Sequence, residues 1–551
     1  MNLSSKHQQN IVTYGDFTGG LNTTTVPDMI ADNQMAECVN MEFNRTTGAL
    51  QTCCGTALVF KAPANITIDR LFYDVINNVF LFTDKNTKFI YKSCLVDVDG
   101  ASRCDREKVG MLTGDKTPTA VMWDKGLIIA SGGRLQYWNG TTLTTIIITF
   151  ENEQNVYKWE KIGATLPSDK TANDFSFNTQ YTKDQSYVRY KDNFYLCKET
   201  HISISDSPTT CNGVFVKNGR IYVWYHYRLQ CSCVGDMQGW YDVSGDDSTS
   251  KWIDIGYKEG EKEQAYIAGA CALSSDIVII KNDGKIYRLS GNYPDWNLKE
   301  IARNITCLNP QCFTAVQDGV FIVGREGMFL LQTTIDYGDV RPVNIASGIL
   351  SLMSMLSFET SWVKFLPALN QIWIAGYDNR FICYDLSFKA FFQRQFTSVV
   401  NDICAYKSYF MLAKQDKIVE LFAGVYQDDK YSTNESNMEW HIVAKSHLSF
   451  YDFLLKRIRV SYVPMTDDFE KAYFVTADKK INVSLKENTD ESSNLYTDGT
   501  FIENDIRSIF PMNMQVATKW LVYRNKMFGV ELRGEGSAVQ INRIDMAVAE
   551  V

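Results

Sequence analysis

From about residue 61 onward the chain repeats one pattern of apolar and polar positions. A short apolar run is followed by a tight turn that contains Gly, Asn or Asp, and then by a second run that carries aromatic residues. Asn-Gly and Asp-Gly between apolar runs favour β-hairpins, because both residues accept the positive φ that a type I′ turn requires. Seven such units are found, with turns at 83–87, 131–133, 217–219, 282–284, 324–327, 376–379 and 414–417.

The spacing of these hairpins predicts a particular all-β fold. Successive turns after residue 219 lie roughly 40 to 65 residues apart, near the period of about 40–50 residues of a four-stranded propeller blade. We therefore predict a β-propeller of six to eight blades over residues 61–425, with seven blades favoured. The first run of each unit is apolar almost throughout, and we expect it to lie near the propeller axis, buried on both faces. Stacked β-sandwiches would use the same hairpins and form the alternative.

Two stretches interrupt the repeat. Residues 150–260 are polar and rich in tyrosine, which predicts one blade with a loop-rich insertion that either contacts a neighbouring protein or simply decorates the blade edge. Residues 426–438, YQDDKYSTNESNM, are the best candidate for a linker.

The chain beyond residue 438 shows a different pattern, in which apolar and polar residues alternate, as at 528–533. This alternation predicts a C-terminal antiparallel β platform domain over 426–551.

The N-terminal residues 1–60 form an arm with a distinctive set of small and polar residues. Two adjacent glycines allow a positive φ or a close approach to another chain segment. The polar stretch at 32–41 predicts at most a short helix, capped by Asp28 or Asp32. We expect the arm to pack on the C-terminal platform, whose open sheet edges must be covered either by this arm or by a neighbouring copy of the chain.

The arm contains a set of residues that we take as a structural assembly motif: Gly19, Gly20, Leu21, Asn22, Pro27, Asn33, Asn40, Gly48, Leu50 and Gly55. In these residues the arm resembles the N-terminal signature of the tail-nozzle (tail tubular protein B) and head-completion hub families of short-tailed bacteriophages. The R-x-G that usually follows in these families is replaced by Cys53-Cys54-Gly55, so that the arginine has no counterpart here.

This resemblance implies a structural virion protein and not an enzyme. It implies a nozzle or hub subunit in a homo-oligomeric ring of six copies, docked on the adaptor ring below the portal and in contact with other tail proteins or fibres. Such a ring would form the conduit that retains packaged double-stranded DNA and later lets it pass. The implied location is the virion tail, after assembly in the host cytoplasm.

Composition and motifs limit the partners, metals and cofactors that the chain is expected to bind. A formal net charge of −9 argues against a dedicated nucleic-acid-binding protein, whose affinity rests on neutralising phosphates, but it suits a channel that must not hold DNA. The 14 cysteines and 5 histidines form no CxxC pair and no ligand spacing, so no metal site is predicted. No cofactor motif such as a phosphate-binding loop is found. No apolar run of about 18 residues occurs, so no membrane anchor is expected.

Two other functions remain as alternatives. A tail-associated propeller depolymerase or glycosidase would need paired carboxylates. No motif in the chain sets two of them beside arginines, and an Asp turn like that of sialidases is echoed only at 83–89. A receptor-binding module would contact the host surface through the insertion at 150–260.

Overall fold

The computed structural model of this protein describes residues 9–550 apart from 63–64, 99–100, 158, 205–206, 244, 262, 274, 318, 334–339, 358, 408, 422–423, 466–471, 477–479, 484–514 and 537. The described residues form mostly β-strands, as the many Tyr, Phe, Val and Ile residues favour. The helices among them are the α-helix Phe150–Val156 and the 3₁₀ helices Ser347–Met355 and Pro367–Leu369.

Seven four-stranded antiparallel blades make up a propeller, which confirms the predicted fold and the favoured blade number. The first strands of blades 2 to 6 contact one another in succession, and the first strand of blade 7 contacts that of blade 1, so the first strands surround the axis. In chain order the blades contain the following strands: blade 1, Ile68–Asp74, Val79–Asp84, Phe89–Val98 and Ala101–Met111; blade 2, Thr119–Trp123, Gly126–Ala130, Gln136–Trp138 and Leu143–Thr145; blade 3, Gly213–Lys217, Arg220–Tyr225, Arg228–Cys231 and Lys251–Asp254; blade 4, Ile267–Leu273, Asp276–Lys281, Ile286–Ser290 and Asn297–Ala302; blade 5, Phe313–Val316, Gly319–Gly324, Gly327–Thr333 and Val340–Asn344; blade 6, Val363–Leu366, Gln371–Ala375, Arg380–Asp385 and Ala390–Gln395; blade 7, Val400–Tyr406, Tyr409–Lys414, Lys417–Leu421 and Thr56–Lys61.

The arm closes the ring of blades. Thr56–Lys61 pairs antiparallel with Lys417–Leu421 and serves as the fourth strand of blade 7. We call this pair of strands the closing seam. The arm boundary expected at residue 60 falls inside the seam, so that the propeller takes in residues from 56 onward.

The apolar runs seen in the sequence are mostly second strands and not innermost ones. Val79–Asp84 and Gly319–Gly324 are buried along their whole length, whereas the innermost strand Thr119–Trp123 has intermediate exposure throughout. The expectation that the apolar runs lie at the axis is therefore wrong in six of the seven blades. A second strand has a strand on either side and packed layers on both faces, while a first strand borders the axial channel.

Residues 150–260 contain a small inserted subdomain followed by blade 3. The helix Phe150–Val156 packs with a sheet in the order Trp159–Gly163, Asn193–Cys197, Tyr187–Tyr190 and Asn173–Asp174, and Gln180–Tyr181 pairs with His201–Ile202. Aromatic side chains around Phe150 form its core. The insertion thus has a hydrophobic core separate from that of the blades.

The arm and the C-terminal strands form one sheet with blade 6. From blade 6 outward the order is Gln34–Val39, Glu439–Ala444, Gln515–Glu535, His447–Pro464, Val539–Glu550, Leu50–Thr52 and Met41–Phe43. Off this path, Gln9–Tyr14 pairs with Val539–Glu550, Gly20–Leu21 with Gln34–Val39, Ala472–Thr476 with Gln515–Glu535, and Lys480–Val483 with Ala472–Thr476.

Two expectations about local structure change in this region. The short helix expected at 32–41 is wrong: Gln34–Val39 is a strand, because pairing with Glu439–Ala444 outweighs a weak helix propensity. The segment expected to be a linker forms a short hairpin, Gln427–Asp428 with Ser436–Asn437, packed against the closing seam. It connects blade 7 to the platform but is ordered by buried contacts.

Candidate functional site

The double glycine of the arm lies against the outermost strand of blade 6. Gly20 has a φ of 68°, and a Cβ there would lie 2.7 Å from the Cβ of Ala390 and 3.0 Å from the nitrogen of Phe391. A Cβ on Gly19 would lie 2.5 Å from Oδ1 of Asn33, and the Gly19 N–H donates to the Asn33 carbonyl at 3.1 Å. Only glycine permits so close an approach.

The next two residues fix the arm on the connection between blades 5 and 6. Leu21 is buried, and the side-chain amide of Asn22 donates to Oε1 of Gln34 at 2.9 Å. The N–H groups of Thr23 and Thr24 both donate to the carbonyl of Gly348, at 2.8 and 3.2 Å. These bonds hold the arm loop on the 3₁₀ helix Ser347–Met355.

Asn40 joins three parts of the molecule. It is buried and has a φ of 55°, a left-handed conformation that Asn tolerates better than most residues. Its Nδ2 donates to the carbonyl of Glu439 in the platform at 2.6 Å, and its Oδ1 accepts the N–H of Gln395 in blade 6 at 2.8 Å. Its own N–H donates to Gln393, and its carbonyl accepts from Cys53, at 2.8 and 2.9 Å.

The remaining signature residues shape the arm in the same region. The carbonyl of Pro27 accepts an N–H from the loop before His447–Pro464. Gly48 has a φ of 71° in a turn, and Leu50 is fully buried. A Cβ on Gly55 would lie 2.0 Å from the carbonyl oxygen of Gln427. The signature therefore forms a joint within one chain, and its assembly role stays a prediction.

A buried arginine at this joint was not anticipated from the sequence. Arg394 in blade 6 is 1% exposed, donates to the carbonyl of Cys54, and lies 4.6 Å from the ring centroid of Trp373 and 5.2 Å from that of Phe396. The aromatic faces attract its charge. Burial raises the pKa of the Cys54 thiol, although the guanidinium opposes this shift. An arginine inside the apolar run AFFQRQ was the signal available in the sequence.

A buried ionic cluster beneath the segment 426–438 was also missed. Lys414 Nζ lies 2.5 Å from Asp428 Oδ1 and 2.7 Å from Asp429 Oδ1, and Lys417 Nζ lies 2.9 Å from Asp429 Oδ2. All four side chains are at most 6% exposed. Burial alone would raise the pKa of Asp428, but Lys414 outweighs it and the net shift is downward. The cluster binds the segment to the closing seam through Thr56.

The inserted subdomain holds a buried histidine with acceptors on both ring nitrogens. His201 Nε2 lies 2.6 Å from Glu153 Oε1, and Nδ1 lies 2.5 Å from the carbonyl of Glu199. Burial lowers the pKa of His201, but these acceptors raise it, and the net shift is upward. Cys197 Sγ lies 3.7 Å from Nδ1. Burial raises the pKa of this thiol, so the group is a poor nucleophile.

A chain of side chains closes one end of the axial channel, which we call the axial mouth. Arg70 in the first strand of blade 1 donates to the carbonyl of Asn401 in blade 7 and to the side chain of Gln311, just before blade 5. Gln311 in turn donates to the hydroxyl of Thr117, just before blade 2. Because the first strands all start at the same end of the ring, this chain crosses the channel. A nucleic acid could not follow the propeller axis without breaking it.

Among the described residues, no group of three or more His, Cys, Asp or Glu side chains could hold a metal ion. Within the same part of the chain, no helix has the length and apolar character needed to cross a membrane.

The strand pairing places the chain in the class of β-propeller proteins, and comparison with known proteins adds no closer relationship. No protein-family model and no curated protein matches it. Among solved structures, BamB from Moraxella catarrhalis is similar over 69% of this chain and 92% of its own, with 8% identity and a TM-score of 0.35. The Pan2 WD40 domain of Neurospora crassa is similar over 69% of this chain and 97% of its own, with 9% identity and a TM-score of 0.35. The WD40 propeller domain of Doa1 is similar over 66% of this chain and 96% of its own, with 10% identity and a TM-score of 0.34. Such values carry no argument about function.

Proposed function

We propose that this protein is a structural subunit of the tail of a short-tailed bacteriophage, a nozzle or hub protein that forms a ring around the path of double-stranded DNA. The observation that carries the proposal is the joint at Asn40, around which the signature residues hold blade 6, the arm and the platform together. A subunit that transmits load in a ring needs its propeller and platform joined in this way.

The closed axial mouth supports a conduit that runs between subunits and not through a propeller. In a ring of six copies, the hole would be bounded by subunit surfaces. With a net charge of −9 per chain, those surfaces would not retain phosphate groups, since retention requires an excess of cations. The ring would dock below the portal and adaptor, hold back packaged DNA, and open for ejection without catalysing a reaction.

The platform offers an edge that a neighbouring copy could cover. Gln9–Tyr14 pairs with Val539–Glu550, and among the described strands nothing pairs with its other side. Ile11 in this strand is 56% exposed. Open edges with exposed apolar residues favour pairing with another chain. We therefore propose that this edge contributes to the contact between copies.

The proposal is tested by the mass of the protein in solution and its presence in particles. Light scattering on a sizing column should give a multiple of the 62.8 kDa chain, near sixfold. Ile11→Glu should weaken the assembly, whereas Ile76→Glu, at a similarly exposed position in the first turn of blade 1, should leave it intact. A monomer that is also absent from purified virions would contradict the proposal.

The two alternative functions have separate tests. If the insertion binds a receptor, deleting it should abolish adsorption and leave particle assembly intact. If the chain is a depolymerase or glycosidase, purified protein should turn over host capsular or cell-wall glycans, and an absence of turnover would remove that hypothesis.

A further inference from the structure

A pocket of about 460 Å³ opens at the axial mouth, beside the side chain of Arg70. Its walls come from segments at the starts of first strands and from turns between second and third strands. Antiparallel order places all of these at the same end of the propeller. Its volume falls within the range of about 300–1,000 Å³ that is typical of small-molecule sites.

One wall is the turn between the second and third strands of blade 6, which is fixed by the surrounding backbone. The Tyr377 N–H donates to the carbonyl of Met355 at 3.0 Å, and the Asn379 carbonyl accepts the N–H of Phe396 at 3.1 Å. Asp378 and Asn379 have φ values of 59° and 60°. The turn sets the ring of Tyr377, which is 50% exposed, beside the pocket. A wall already in place lowers the cost of binding a ligand.

Five of the polar side chains that line the pocket with Tyr377 make no side-chain hydrogen bond to the described part of the chain. They are the carboxylates of Asp69, Glu359 and Asp378, the ammonium of Lys85 and the amide of Asn379. Their charges nearly balance, because the guanidinium at the floor adds a second cation to the ammonium. The pocket therefore offers free acceptors and free donors without a large excess of either charge.

This combination selects an uncharged ligand with many hydroxyl groups. A purely apolar ligand would remove water from these polar groups without replacing the lost hydrogen bonds, which disfavours its binding. A ligand of strong single charge would meet like charges on one wall. A sugar ring can donate to carboxylates, accept from an ammonium or amide, and lay its C–H face on the negative face of an aromatic ring. We propose that the axial mouth binds an uncharged saccharide, with Tyr377 under the sugar ring and Asp69 and Asp378 as hydroxyl acceptors.

The test uses the isolated full-length protein, so it is independent of ring assembly. Saturation-transfer NMR is recorded with glucose, galactose, mannose, N-acetylglucosamine, maltose, lactose and chitobiose as separate probes. At least one probe should receive saturation, and Tyr377→Ala and Asp378→Ala should each weaken its binding at least tenfold. Tyr409→Ala is the control, because this tyrosine is 47% exposed at the opposite end of the propeller.

Two results would overturn the proposal. One is that no probe binds, or that a probe binds equally well to the Tyr377→Ala protein. The other is that a basic peptide such as tetralysine binds in place of every sugar and is lost in Asp69→Asn, which would assign the pocket to a cationic protein partner.

Discussion

Replacing Asp429 with alanine should loosen the closing seam of the propeller. In the native protein Asp429 accepts bonds from both Lys414 and Lys417, and its own N–H donates to the hydroxyl of Thr56 at 2.9 Å. After the substitution Lys414 keeps its bond to Asp428. Lys417, whose side chain is 6% exposed, loses the carboxylate that it faces among the described residues.

The expected size of this effect follows from the burial of the cluster. Removing one partner of a buried ion pair costs about 3–5 kcal/mol, because the remaining charge stays desolvated without compensation. About 1.4 kcal/mol corresponds to a factor of ten in an equilibrium. Amide exchange that proceeds through opening of the seam should therefore accelerate by about two to three and a half orders of magnitude.

Hydrogen exchange with mass spectrometry on peptides that cover Thr56–Lys61 and Lys417–Leu421 measures this change. The control is Glu261→Ala, which breaks an exposed pair with Lys258 and should cost at most about 1 kcal/mol. Adding Lys417→Met to Asp429→Ala should restore part of the protection, because the unpaired charge is then gone. Exchange in Asp429→Ala within about threefold of the native protein would refute the reasoning.

Three further predictions concern the arm and the insertion. Asn40→Ala should cost about 1–3 kcal/mol, because it leaves two partly buried backbone groups, the Glu439 carbonyl and the Gln395 N–H, without their partner. Asn40→Gly should cost about 1 kcal/mol less, because the left-handed φ is then unstrained; urea unfolding and proteolysis between propeller and platform check this. Gly55→Ala should cost about 3 kcal/mol through overpacking, with Gly15→Ala, where a Cβ meets nothing nearer than 3.8 Å, as a near-neutral control in thermal unfolding. The raised pKa of His201 means that its contribution is complete below about pH 6.5 and lost as pH rises through the folded pKa. Exchange protection of the insertion should fall accordingly, and His201→Gln should abolish that pH dependence; a flat profile in the native protein would contradict it.

The hairpins were predictable because their signals are local. At 218–219 the Asn-Gly pair takes φ values of 50° and 68°, as a turn between two apolar runs requires. The place of each hairpin within its blade was not predictable from such signals. An apolar strand looks the same in sequence whether it borders a channel or lies between two strands, and only the arrangement of the blades distinguishes the two cases.

For each contact in the candidate site, the sequence identifies the residue in the arm but not its partner in blade 6 or the platform. The sequence singled out Gly20 and Asn40 but not the blade 6 and platform residues against which they pack, which lie more than 350 residues away along the chain. The polar composition of 426–438 predicts a linker at Asp428 and Asp429, whereas both side chains are buried. Their burial depends on Lys414 and Lys417, and no spacing rule connects those lysines to that segment.

Electron cryomicroscopy of purified particles, with the chain located in the density, is the decisive test of the proposal that this chain forms a ring in a phage tail. We expect six copies of the propeller and platform around the tail axis below the portal, with the DNA path between subunits and each axial mouth closed. A particle without this chain, or density in which DNA runs through the axis of a single propeller, would contradict it.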